Sequence, residues 1–144
     1  MSNPLLDDIA SWLTSQNLVG GTSGWVVFKG YLPPNDPLQP LVQTIALFET
    51  PGEPPEIISK QVPQEYAYDI MGLQVRGRGA VNQYQALRAQ MQAIYVGLHE
   101  NEPNVVSGQD YIFIYAKTSG PLPMGKDEEN HDEMSWNFRI MRKR

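Results

Sequence analysis

Apolar residues return at helical spacing in two stretches of the chain and gather into strand-like runs in five others. In the first helical stretch Leu5, Ile9, Trp12 and Leu13 share one face, the stripe of a short amphipathic helix with one buried side. Ser2 or Asn3 supplies its cap, Pro4 takes the opening helical position, and Asp7 and Asp8 lie in the first turn, where the helix dipole favours negative charge. This helix is expected to end near Asn17. In the second stretch Tyr84, Leu87, Met91, Ile94 and Leu98 recur every three or four positions, while Gln85, Arg88, Gln92 and Gly97 fall largely elsewhere. Asn82 and Gln85 have the spacing of a capping box, which starts that helix at Gln83.

The strand-like runs are rich in β-branched and aromatic residues. They cover Trp25 to Tyr31, residues 41–50, about Tyr66 to Arg76, residues 110–117 and residues 135–143. In the third, Ala67, Met71, Leu73 and Val75 point one way and Tyr68, Gln74 and Arg76 the other. In the last, Trp136, Phe138 and Ile140 form one face and Asn137 and Arg139 the other. Gly20, Gly21 and Gly24 make a joint after the first helix. "LPPNDPLQP" at 32–40 holds four prolines and cannot be regular structure. "PGEPPE" stops the second strand and opens a proline-rich connection over 51–65. Residues 118–134 are too long for a hairpin turn and acidic in their second half; loops of this length are usually functional or disordered.

The resulting order is α-β-β-β-α-β-β. Two helices against one face of a mostly antiparallel five-stranded sheet is the economical α+β packing, with residues 1–144 forming one domain. A chain of 144 residues is long enough to bury most of its apolar surface.

Charge and composition then narrow the function. The net charge of −5 and a pI near 4.9 work against general binding to a phosphate backbone, which needs a basic surface. No cysteine is present, so disulfides and thiolate zinc sites are excluded. No apolar run approaches the roughly 18 residues of a membrane span. Met1-Ser2-Asn3-Pro4 lacks the basic-then-apolar order of a signal peptide. The expected setting is a reducing cytoplasm, or a particle assembled there.

Strand, glycines and helix in "LQVRGRGAVNQYQ" have the layout of a phosphate loop, but the motif is incomplete. A dinucleotide fingerprint needs a third glycine where Asn82 stands, and a Walker loop needs a lysine and a hydroxyl where Ala80-Val81 follow. The glycines instead allow a sharp turn from strand to helix. Arg76 and Arg78 then project from a strand end, where carboxylates of a neighbouring chain can meet them. His99 and His131 are the two histidines, and neither has the local pattern of a triad or zincin; both are expected to be solvated. Asp127, Glu128, Glu129, Asp132 and Glu133 lack the ligand spacing and central glycine of an EF-hand, so a mobile, solvated charge run is expected. No catalytic, cofactor-binding or metal-binding residue is assigned.

The landmarks together resemble the bacteriophage minor capsid or tail-completion proteins, the tail terminators. Three segments carry the resemblance: "VVFKGYLPPNDPLQPLVQTIALFETPG", "LQVRGRGAVNQYQALRAQMQAIYVGLHE" and "GPLPMGKDEENHDEMSWNFRIMRKR". They are similar to the family's Leu-Pro-Pro loop between two strands, its arginine-glycine segment before an aromatic-bearing helix, and its Gly-x-Asp-Glu loop with a closing Asn-Phe strand. The likeness runs from about Trp25 to the C-terminus. In one departure, Asn130-His131-Asp132 stands where the family pattern has an arginine soon after Asp127-Glu128.

The resemblance implies a structural virion protein of the tail and neck, without enzymatic activity or cofactor. It implies a homo-oligomeric ring, generally a hexamer, that ends tube polymerisation and presents a surface for head–tail joining. The implied partners are other copies, the tail tube protein and the head–tail connector protein, with DNA passing through the ring and no membrane or specific nucleic acid bound. Arg76, Arg78, Asp127 and Glu128 are the interface candidates. The alternatives are another neck component such as a head-completion protein, a nucleic-acid-binding module using Arg76, Arg78 and Arg142-Lys143-Arg144, or an enzyme with an unrecognised site.

Overall fold

The computed structural model describes residues 4–33, 43–56, 68–100, 105–106, 109–127 and 130–143. Helix α1 (Leu5–Ser15) leads into β1 (Val26–Lys29), β2 (Thr44–Glu56) and β3 (Tyr68–Val81). Helix α2 (Tyr84–Tyr95) follows and is continued by a π-helical turn, Val96–Glu100. The chain closes with β4 (Val105–Val106), β5 (Gln109–Ala116), β6 (Leu122–Lys126) and β7 (His131–Lys143).

The strands form one sheet in the order β1-β2-β3-β7-β5-β4, with β6 also paired to β7. β5 pairs with the C-terminal part of β7 and β6 with its N-terminal part, so two consecutive strands share one edge of β7. β1 lies parallel to β2 and the other pairs are antiparallel. The sheet is therefore mixed and has seven strands among the described residues, not five in a mostly antiparallel arrangement. The element order differs accordingly.

Each difference has a local cause. β4 has two residues, too few to show alternation. β6 contains Pro123 and Gly125, which look like loop punctuation, but a proline costs little on a strand bonded along one edge. Gly125, at φ +86°, sits at the irregularity between Pro123 and Gly125 in the pairing with β7. β2 likewise runs on through "PGEPPE", with register shifts after Thr50 and Glu53 that accommodate the prolines. Residues 34–42 and 57–67, the remainder of the two proline-rich connections, lie outside the described residues.

β3 does not end at Arg76. It continues through Gly77 and Gly79 to Val81, and the turn into α2 is made by Asn82 at φ +57°, a left-handed conformation that asparagine tolerates. The glycines serve close packing: a Cβ on Gly79 would lie 3.1 Å from Leu87 Cβ. The expected capping box is not formed. Gln83 is the N-cap without a side-chain bond, and Asn82 Oδ1 instead accepts from Lys126 Nζ at 3.3 Å.

Both helices cover one face of the sheet, as the pattern predicts. Leu5, Ile9 and Leu13 of α1, with Leu87, Met91 and Ile94 of α2 and Leu98 after it, pack on Ile45, Leu47, Leu73, Val75, Met134, Trp136, Phe138 and Ile140. Two positions depart from the stripe. Tyr84 is exposed, and Gly97 is buried beside Leu18 with its carbonyl accepting from Trp12 Nε1 at 2.9 Å. α1 begins one residue late, with Pro4 as its N-cap; Ser2 and Asn3 lie outside the described residues. Asp8 is buried, where its Oδ2 accepts from the Tyr111 hydroxyl at 2.7 Å and lies 3.6 Å from Arg142 Nη1. That contact ties α1 to β5 and β7.

Candidate functional site

Side chains alternate across a strand, so the residues left out of the core compose a second sheet face. Pairing aligns them in rows: Thr44–Arg78–Glu133, Ala46–Arg76–Ser135 and Phe48–Gln74–Asn137, on β2, β3 and β7. Neither α1 nor α2 packs on this face. It is polar where the other is apolar, and it carries three arginines. Gln74 Nε2 donates to Asn137 Oδ1 at 3.2 Å. Arg139 Nη1 donates to the Tyr115 hydroxyl at 2.8 Å. The Arg76 guanidinium lies 5.6 Å from the centre of the Phe48 ring, a cation–π contact.

Arg76 and Arg78 thus lie within β3 and not at a strand end. Arg76 is half-buried, and Arg78 is buried. Neither Arg76 nor Arg78 has a carboxylate partner among the described residues. The structure does not join them to Asp127, and Glu128 lies outside the described residues.

The acidic segment read as one long loop is largely a β6–β7 hairpin. Asp127 organises its turn. Its N–H donates to the His131 carbonyl at 2.9 Å, its carbonyl accepts from Asn130 N–H at 3.1 Å, and its Oδ1 accepts from His131 N–H at 2.8 Å. Asn130 completes the turn at φ +65°. The His131 Nδ1 lies 3.2 and 3.1 Å from the two carboxylate oxygens of Asp127, a geometry in which Nδ1 carries the proton. His131 is therefore buried, contrary to the expectation of a solvated side chain. Lys126 pairs with Asp132 at 3.5 Å and reaches Asn82, fastening the hairpin to the turn before α2.

His99 is not freely solvated either. Its ring stacks on Tyr95 at 5.0 Å, and Tyr95 stacks on Trp136 at 4.7 Å. No three His, Asp or Glu side chains among the described residues are placed to hold a metal ion. A cleft of about 270 Å³ between Leu5, Thr50, Ile70 and Gly72 has, among the described residues, Glu49 as its one charged lining residue. Thr44, Ala46, Arg78 and Ser135 on the open sheet face are buried, so what it offers a neighbour is the half-buried Gln74, Arg76, Asn137 and Arg139. Sequence reasoning found Arg76 and Arg78 but set them at a strand end, whereas cross-strand register places both inside β3.

Comparison with known proteins agrees with this picture. A model of the bacteriophage tail terminator protein family matches residues 12–144. A chain in the solved virion of a native gene transfer agent particle is similar in fold, with a TM-score of 0.61 and 12% identity over 97% of this chain and 95% of that one. No curated protein matches in sequence.

Proposed function

The chain belongs to the bacteriophage tail terminator protein family, and from that premise we propose that it forms a ring at the head-proximal end of the tail tube. It is a structural phage protein of the virion tail or neck. In the proposed role, a ring of six copies stops polymerisation of the tube and offers its other side to the head–tail connector. The observation that carries this reading is the family match over nearly the whole chain.

The fold supplies physical support. A ring repeats one heterologous contact until it closes, and such a contact needs surface that the core does not consume. Both helices lie on one side of the sheet, which leaves the half-buried Gln74, Arg76, Asn137 and Arg139 of the other face for that purpose. We place contacts between subunits or with the tube at Arg76 and Arg78 and at Asp127 and Glu128 of the acidic segment. The role is one of assembly and not of catalysis.

The test is an image of tails made with and without the protein. Without it, tubes should be overlong and fail to join heads. Tails of normal length that join heads in its absence would refute the terminator role and favour another neck function.

A further inference from the structure

β1 ends the sheet, and among the described residues its backbone pairs with β2 alone. The Val26 N–H donates to the Gln43 carbonyl at 3.1 Å and the Gly30 N–H to the Leu47 carbonyl at 2.7 Å. A parallel ladder bonds alternate residues, so Val26, Phe28 and Gly30 turn their N–H groups toward β2. Val27 and Lys29 therefore turn their N–H and C=O groups outward, to an edge that no described strand covers. Beside the start of this edge lies a groove of about 450 Å³, lined by Gly20, Gly21, Gly24, Trp25, Val26 and Val27. The three glycines hold positive φ, where a side chain would be strained, so no side chain of theirs fills it.

The other free edges are guarded. A free edge invites pairing, and proteins blunt it with short strands, proline, bulges or lysine. β6 carries Pro123, an irregularity before Gly125, and Lys126. β4 is two residues long. β1 reads Val-Val-Phe-Lys, and its one charge, Lys29, is drawn over to α1 by Asp7 at 2.6 Å. Val26 on this strand is 45% exposed. Of the three edges, β1 is the one left open to a further strand.

We propose that the outer edge of β1 receives an extended segment of a second copy when subunits associate. Outward N–H and C=O groups are matched by the backbone of an added strand. Four residues span only about 13 Å, far short of the roughly 1,200 Å² that a free partner needs for stable binding. The added segment therefore comes from a molecule already held alongside by other contacts, which a neighbour in a ring is. The proposal rests on the ring reading and gives its heterologous contact one of its two unlike surfaces.

Residue-resolved hydrogen exchange on the full chain, as isolated subunit and as assembled oligomer, tests the edge. In the subunit the Val27 and Lys29 amides should exchange freely, while Phe28, bonded to β2, is protected. On association Val27 and Lys29 should slow by about tenfold or more. Val26→Lys puts a charge at an exposed edge position and should leave the subunit's melting temperature unchanged. It should weaken association by about tenfold or more, comparable with losing two net hydrogen bonds. Leu122→Lys, on the guarded β6 edge, should weaken it less. Val27 and Lys29 protected already in the subunit, or unprotected in the oligomer, overturn the proposal. Equal weakening by both variants, or none by Val26→Lys, overturns it too. If Val26→Lys lowers subunit stability, the wild-type exchange pattern alone decides. Protection that appears only when tail tubes are added makes the tube protein the occupant and overturns the second copy, as does a wild type that stays monomeric. The ring reading is judged separately, by tail length in particles: tails that end normally while Val27 and Lys29 stay unprotected refute the edge and not the ring.

Discussion

Gly77 lies so close under α2 that a Cβ built on it would fall 2.7 Å from Leu87 Cδ1 and 3.0 Å from Met91 Sδ. Leu87 and Met91 are themselves buried, so neither can swing out to make room. Gly77→Ala should therefore cost about 1–3 kcal/mol, the usual penalty for overpacking a filled core. Gly120→Ala is the control, because its nearest neighbour would be Arg88 Nη2 at 3.9 Å; it should change stability by no more than about 0.5 kcal/mol. Denaturant midpoints of the two variants decide the matter, and equal losses would remove the packing role assigned to Gly77.

The α2 stripe supports a second comparison. Leu87→Ala and Ile94→Ala each remove a fully buried aliphatic side chain and should cost about 2–5 kcal/mol. Gln85 is exposed, and Gln85→Ala should stay within about 0.5 kcal/mol. Thermal or chemical unfolding that shows the same loss in all three would mean that the wrong face of the helix had been assigned to the core.

What was legible in the chain follows from where the physics is local. Stripe residues such as Leu87 and Ile94, and alternation at Trp136, Phe138 and Ile140, depend on period alone, and all are buried as expected. Pro123 and Gly125 misled, because their meaning depends on β6 lying at a sheet edge, a tertiary fact. Gly77 and Gly79 have the look of turn formers along the chain, whereas their role comes from a helix lying across them. Arg76 and Arg78 stood out by composition. Their place inside β3 did not, since it follows from cross-strand register. Nothing along the chain marks Asp127, one member of a charge run, as the carboxylate that holds His131.

The hairpin predicts a separation of roles for Asp127. Its carboxylate accepts the His131 N–H and faces the His131 ring, both within one subunit. Asp127→Ala leaves a buried histidine without that acceptor and should destabilise the isolated subunit by about 1–3 kcal/mol. Calorimetry on the subunit before assembly measures this. An unchanged melting temperature would show that Asp127 matters only for contact with a neighbour.

Exposure along β6 predicts uneven protection. Each residue from Leu122 to Lys126 is exposed, and among the described residues the strand's backbone pairs with β7 alone. β3 lies between two strands and carries buried Leu73 and Val75. Opening free energies follow such differences in burial. Hydrogen exchange in the isolated subunit should be faster at β6 amides than at the centre of β3. Comparable protection in both would mean that β6 is held by contacts other than β7.

The buried Asp8–Tyr111–Arg142 cluster is expected to cost stability at alkaline pH. Burial, and then the hydrogen bond to the Asp8 carboxylate, push the Tyr111 phenol well above its ordinary range; nearby Arg142 acts in the opposite direction and is outweighed. A group whose proton is held more tightly in the folded state contributes fully below its unfolded pKa, near 10 for tyrosine. Above that, the unfolded phenol ionises while the folded one does not, and stability is lost as pH rises toward the folded value. The expected slope for this one group is about 1.4 kcal/mol per pH unit. Tyr111→Phe removes the hydroxyl and should flatten that part of the curve, although it costs stability at neutral pH by leaving Asp8 without its donor. Unfolding free energies measured from about pH 9 to 11 check the difference. Parallel slopes in wild type and Tyr111→Phe would show that Tyr111 gives up its proton as readily folded as unfolded, and the buried bond to Asp8 could not then be what ties α1 to the sheet.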